Sequence, residues 1–107
     1  MRLVANPISL SLRKMKLPTS TIQARLRSLP KWRLQDDKVI ARSFEFRDFN
    51  QAWGFMSRVA LKAEKLDHHP NWSNVYNEVE VRLWTHDHDG LTEKDFELAE
   101  FMDTVAQ

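Results

Sequence analysis

Hydrophobic positions change their spacing several times along the chain, and each change marks an element. Ile22, Leu26 and Leu29 recur at helical intervals behind Pro18-Thr19-Ser20, a segment able to cap a helix, and Pro30 stops them. Trp32 to Leu34 reads as a short strand and Asp36-Asp37 as a turn. Val39 to Phe46 reads as a second strand, with Ile40, Phe44 and Phe46 on one face and Arg42 interrupting the apolar pattern. Asp48 is a good N-cap for a helix over Phe49 to Leu66, where Phe49, Ala52, Phe55, Met56, Val59, Ala60 and Ala63 form one apolar stripe. Gly54 costs this helix about 1 kcal/mol relative to alanine, which predicts close packing there. Trp53, Phe55 and Phe44 are read as core residues.

Asp67-His68-His69-Pro70-Asn71 must be a loop, because Pro70 disfavours helix at itself and at His69. Val75, Asn77, Val79, Val81, Leu83 and Thr85 then alternate with Tyr76, Glu78, Glu80, Arg82, Trp84 and His86, the period of a half-buried strand. The run is long for one strand, so a break is predicted near Tyr76-Asn77. His86 to Gly90 is a turn. Thr92 caps a last helix with Asp95 one turn in, and Leu91, Phe96, Leu98, Ala99, Met102 and Val105 supply its apolar side. The order helix, two strands, helix, one or two strands, helix defines an α+β domain with a mainly antiparallel sheet covered on one face. The other face would hold Trp84 and Tyr76 beside charged groups, and large aromatics there predict a partner subunit.

Composition narrows the classes. A chain of 107 residues, 42% hydrophobic and 29% charged, is the size and type of one globular domain. Cysteine is absent, which excludes disulfides and thiolate zinc sites. No apolar run approaches the roughly 20 residues a membrane span needs. The net charge of +1 conceals an asymmetry: residues 1–33 carry eight Lys or Arg and no acid, whereas the remainder sets eight bases against all 15 acids, a formal −7. An acidic body argues against a broad nucleic-acid face, which needs clustered cations. Residues 1–17 are read as a basic N-terminal extension and 18–107 as a single domain. In composition the extension is like a transit-type presequence; a family-variable extension, or a working start nearer Met15, is the competing reading. The expected compartment is the cytoplasm, with organelle targeting the alternative.

The candidate chemistry is concentrated in histidine. All four lie between positions 68 and 88, at the ends of elements where side chains converge. Imidazole is the side chain best suited to proton transfer near neutral pH. Glu64 precedes His68 by four residues, so a helix continuing that far would put the two on one face. His86-x-His88 with His68 or His69 offers nitrogen ligands for a metal, but that spacing without an HExxH pattern carries little weight. Surface or capping roles compete as well, and Asp95 in a first helical turn is commonly no more than favourable to the helix dipole. Trp72, Tyr76 and Trp84 are able to stack a flat heterocycle, though such residues more often serve core or interface. With only Gly54 and Gly90 there is no phosphate-cradling loop, and no Gly-x-Ser-x-Gly nucleophile turn occurs. Acid–base chemistry on a bound small molecule remains.

From Glu64 the chain reads Glu64-x-x-x-His68-His69-Pro70, then Tyr76 after five residues, His86 after nine more and Asp95 after eight. With Leu29-Pro30-x-Trp32, Phe44-x-Phe46, Leu66-Asp67, Trp72, Val75-Tyr76-Asn77 and Thr85-His86 around it, this resembles the signature of the pterin-4a-carbinolamine dehydratases over about residues 20 to 105. The resemblance implies a four-stranded antiparallel sheet with three helices on one face, in the order α-β-β-α-β-β-α. It implies a hydro-lyase that removes water from 4a-hydroxytetrahydropterin to give quinonoid dihydropterin, recycling the cofactor of aromatic amino acid hydroxylases. It places His68, His69 and His86 as the catalytic histidines, supported by Glu64, Pro70, Trp72 and Asp95, with no metal and no cofactor. On this reading His69 and His86 face the departing hydroxyl, while His68, tuned by Glu64, handles the other proton. Partners implied are a pterin substrate and further copies of the chain, as homodimer or homotetramer, with no direct nucleic acid and no membrane. Some members resemble binding modules that stabilise dimers of a homeodomain-type transcription factor, a non-enzymatic alternative on the same fold.

Overall fold

The computed structural model describes residues 15–107. Helices α1 (Thr19–Leu26), α2 (Phe49–Leu66) and α3 (Glu93–Val105) cover one face of a sheet made of β1 (Arg33–Gln35), β2 (Val39–Glu45), β3 (Asn71–Val75) and β4 (Glu78–Leu83). The strands lie in the order β1-β2-β4-β3, all antiparallel. This is the α-β-β-α-β-β-α architecture expected. The basic extension lies mostly outside the described residues; of its last members, the Leu17 N–H donates to the Leu91 carbonyl at 2.8 Å.

Two hairpins fix the strand register. The β1–β2 turn has Asp36 and Asp37 both at positive φ, and the Lys38 N–H donates to the Gln35 carbonyl at 3.0 Å. Two consecutive left-handed residues match the right-handed twist of the flanking strands, and aspartate tolerates that region. The break predicted near Tyr76-Asn77 is the β3–β4 turn. Tyr76 occupies a positive φ of 49°, an uncommon place for a bulky residue. Flanking amides hold it there: Asn74 Nδ2 donates to the carbonyls of Tyr76 and Glu78, and Asn77 Nδ2 to that of Phe46. Tyr76 is therefore at a turn tip and not on the open sheet face.

Alternation along β4 is complete, with Val79, Val81 and Leu83 buried and Glu78, Glu80 and Arg82 exposed. The buried set meets Ile40 and Phe44 of β2, Ala52, Phe55, Val59 and Ala63 of α2, and Phe96, Leu98, Ala99 and Met102 of α3. Phe55 is the hub of an aromatic cluster, with ring centroids 4.7 Å from Phe44 and 4.9 Å from Phe46. Arg42, which interrupts the apolar pattern of β2, lies over the Phe44 ring and pairs with Asp103 of α3; Asp103 also accepts from Trp32 Nε1.

Helix α2 departs from expectation in its stripe. Ala52, Phe55, Val59 and Ala63 are buried, but Phe49 and Ala60 are exposed, and Trp53, read as core, is 57% exposed. Trp53 follows Ala52 by one residue, about 100° around the helix, so it faces outward. Gly54 does not mark a close approach either: a Cβ there would meet only the end of the Arg58 side chain, at 3.4 Å. Asp48 caps α2 as expected, accepting from the Gln51 N–H at 2.8 Å.

Because Phe55 joins sheet and helices, Phe55→Ala is expected to cost about 3–5 kcal/mol. Urea unfolding of the variant measures this, and a loss below about 1 kcal/mol would contradict the packing described.

Candidate active site

The site is assembled by two chain reversals. The first ends α2. Asp67 adopts a left-handed conformation (φ 50°, ψ 47°), its N–H donates to the Glu64 carbonyl, and the His68 N–H reaches back to the Ala63 carbonyl at 3.0 Å. These bonds form a Schellman motif, with aspartate where glycine is usual. The reversal sends His68 inward and leaves His69 outside. His68 is 7% exposed in its side chain, and His69 59%.

The second reversal joins β4 to α3. The Thr85 N–H donates to the Gly90 carbonyl at 2.8 Å, closing a loop around the short 3-10 turn His86–His88. Lys38 Nζ donates to Asp89 Oδ2 at 2.8 Å, and this bond holds the Asp89 carboxyl below the usual carboxylate range. Thr92 then opens α3 in a capping box with Asp95.

Asp95 is fully buried and links the two reversals. Its Oδ1 lies 2.5 Å from His68 Nε2, and its Oδ2 accepts from the Thr92 N–H at 2.9 Å and from Thr85 Oγ1 at 2.8 Å. Thr92 Oγ1 accepts from the Asp95 N–H and lies 2.8 Å from Thr85 Oγ1. A carboxylate so deep needs this satisfaction, and the positive end of α3 favours it further. Since a carboxylate only accepts, Nε2 of His68 is the nitrogen that carries hydrogen. Nδ1 is then the nitrogen left for exchange.

The pairing of Glu64 corrects the expectation. Its Oε1 lies 2.8 Å from Nε2 of His69, not His68, and Asp95 orients His68. The helical spacing that would join Glu64 to His68 fails because the helix ends at Leu66 and the chain reverses at Asp67.

The cavity between the reversals has a volume of about 280 Å³ and is lined by Asp67, His68, His69, Thr85, His86, Asp87, His88, Thr92 and Lys94. The three expected catalytic histidines thus share one opening of a size suited to a small heterocycle. Asp95 stands behind it and Glu64 at its outer edge. Pro70 and Trp72 do not line it; Trp72 packs against the core from β3. Sequence reasoning did not single out Lys94, the cation of the lining, because a lysine in a first helical turn has no distinguishing pattern. Thr85 and Thr92 carry no sequence signal beyond adjacency to His86 and helix capping, and their shared hydrogen bond depends on the loop closing. Among the described residues no group of three or more His, Asp or Glu is placed to hold a metal ion.

Both the sequence and the fold match known proteins. The sequence profile of the family described as Pterin 4 alpha carbinolamine dehydratase matches residues 15–105. A protein of Burkholderia multivorans named "Putative pterin-4-alpha-carbinolamine dehydratase" is 54% identical over 92 residues, covering 85% of this chain and 90% of its own. One of Novosphingobium aromaticivorans with the same name is 54% identical over 90 residues, covering 83% and 94%. The crystal structure of a transcriptional coactivator/pterin dehydratase from Brucella melitensis superposes with a TM-score of 0.84 at 46% identity, over 87% of this chain and all of that one. The fold and these relatives are those of a family of hydro-lyases. The chain belongs to the pterin-4a-carbinolamine dehydratase family.

Removing the Asp95 carboxylate strips partners from His68, Thr85 and the Thr92 N–H together. Asp95→Ala is expected to lower stability by about 2 kcal/mol or more, since each buried group left unpaired costs about 1–3 kcal/mol. Chemical denaturation tests this, and wild-type stability would show that the network is not needed.

Proposed function

We propose that the chain dehydrates 4a-hydroxytetrahydropterin by histidine acid–base catalysis, in recycling of a tetrahydropterin cofactor. The observation that carries the proposal is the convergence of His68, His69 and His86 on one cavity, with the buried carboxylate of Asp95 against the ring of His68. In the reaction the C4a–O bond breaks, the hydroxyl takes a proton and leaves as water, and a ring nitrogen loses its proton as its electron pair forms the C=N bond. Two imidazoles in opposite protonation states do both tasks. His68 suits proton removal, because Asp95 stabilises the imidazolium that results, as the carboxylate of a catalytic triad does. His69 and His86, at the open side, suit proton delivery to the hydroxyl. Glu64 orients His69 at the rim.

General acid–base assistance is typically worth about 10²–10⁴-fold. Single replacement of His68, His69 or His86 by alanine is therefore expected to lower the rate of carbinolamine loss, followed by absorbance, by about 10²-fold or more. Wild-type rates in His86→Ala would sink that assignment, and a wild-type rate no higher than the spontaneous one would sink the dehydratase.

A second reading concerns self-association, and a separate observation favours it. On the outer side of α2, Trp53 and Leu61 are 57% and 73% exposed, and Phe49 stacks on Trp53 with centroids 6.1 Å apart. Isolated exposed hydrophobes are ordinary, but a stripe along one helix marks an interaction face. We propose that it joins copies of the chain as a homodimer or homotetramer. The same stripe would serve the non-enzymatic alternative, a transcription-factor partner, while the intact histidine cavity supports the enzyme. Light scattering at tens of micromolar is expected to show an oligomer that Trp53→Glu shifts towards monomer; a monomeric wild type would contradict it.

A further inference from the structure

Each pocket histidine meets a different kind of neighbour. His68 has the buried carboxylate of Asp95, and His69 has the exposed carboxylate of Glu64. Among the described residues the His86 ring has neither a hydrogen bond nor an ion pair. Its ring contact is with the indole of Trp84, centroids 4.4 Å apart and planes inclined at 36°. The backbone of its loop is pinned by the bonds from Thr85 N to Gly90 O and from His88 N to Thr85 O. Those bonds place the Cα of His86 but leave its side-chain torsions free.

Trp84 is itself anchored. It directly follows β4, an inner strand of the sheet, and the guanidinium of Arg82, two residues earlier on the same face, lies over its ring at 5.4 Å. Guanidinium, indole and imidazole thus form a column running up the open sheet face to the cavity mouth. Trp84 takes no part in the hydrophobic core. A large aromatic outside the core, half-buried and touching a histidine of the cavity, is placed to act on that ring.

We propose that Trp84 is the positioning residue for His86: the indole confines the imidazole to orientations that face the cavity, and Arg82 steadies the indole. The inference deepens the dehydratase reading and rests on it for its kinetic part. Loss of the indole leaves His86 present but badly aimed, so turnover suffers more than substrate binding. Misplacement of a reacting group costs up to about 10²-fold.

The test is a double-mutant cycle on purified full-length protein, with the His86 ring followed by NMR in parallel. Trp84→Ala is expected to lower kcat about tenfold with KM within about twofold, and Trp84→Phe, which keeps a flat ring, to recover most of the loss. In a His86→Ala background, Trp84→Ala is expected to change kcat by less than about twofold, because residues acting through one another are not additive. The ring protons of His86 should lie upfield in the wild type and move downfield in Trp84→Ala. Should Trp84→Ala fail to fold, Trp84→Leu removes the ring while keeping apolar bulk. Equal losses in both backgrounds, or His86 resonances unmoved by removal of the indole, would overturn the proposal. A wild type without dehydratase activity would remove the kinetic part with the dehydratase reading, and the NMR comparison would then decide whether Trp84 positions His86.

Discussion

The site depends on one buried carboxylate. Asp95 closes the first turn of α3 and, with its other oxygen, holds the imidazole of His68. Helix start and candidate catalytic residue are thereby a single hydrogen-bonded unit. The end of α2, the end of β4 and the start of α3 arrive at one point because Asp95 has partners on each side. A capping box alone contributes roughly 1 kcal/mol. A buried carboxylate with three partners also commits the surrounding chain to one arrangement, since leaving any partner unpaired is costly.

The rest of the domain serves that junction. The strands place β4 inside the sheet, where alternation buries Val79, Val81 and Leu83 and delivers Thr85 and His86 to the rim. Helix α2 is anchored through Phe55 and reverses at Asp67, so that His68 turns in beneath the rim and His69 stays on it. The three histidines consequently differ in burial and in neighbour: a buried carboxylate, an exposed carboxylate and an indole. Such differences are what separate the roles of chemically identical groups in one pocket.

Much of this was legible in the sequence because periodicity reports burial. The alternation through β4, the break near Tyr76-Asn77, the caps at Asp48 and Thr92 and the gathering of histidines at element ends all followed from spacing, run length and residue type. What could not be read was direction after a reversal. Glu64 and His68 are four apart, yet the left-handed Asp67 hands Glu64 to His69. The bond between Asp95 and His68 joins residues 27 apart and leaves no periodic trace. Trp53 misled for a different reason. Hydrophobicity suggested core, while its angular position, one residue beyond the buried Ala52, put it on the outer surface. Trp84 was legible as an aromatic on the open face, but its contact with His86 needs the closed loop from Thr85 to Gly90.

We propose that one cavity, bounded by the reversals after α2 and β4, receives the pterin. A crystal structure of the protein with a stable dihydropterin bound tests it most directly. The ring system is expected inside that cavity, within hydrogen-bonding distance of His68, His69 and His86, with the bond between His68 and Asp95 intact. A pterin ring seated elsewhere, for instance in a second cavity, lined by Arg58, Leu61, Lys62, Lys65 and Phe101, or lying out of reach of the three imidazoles, would rule this out.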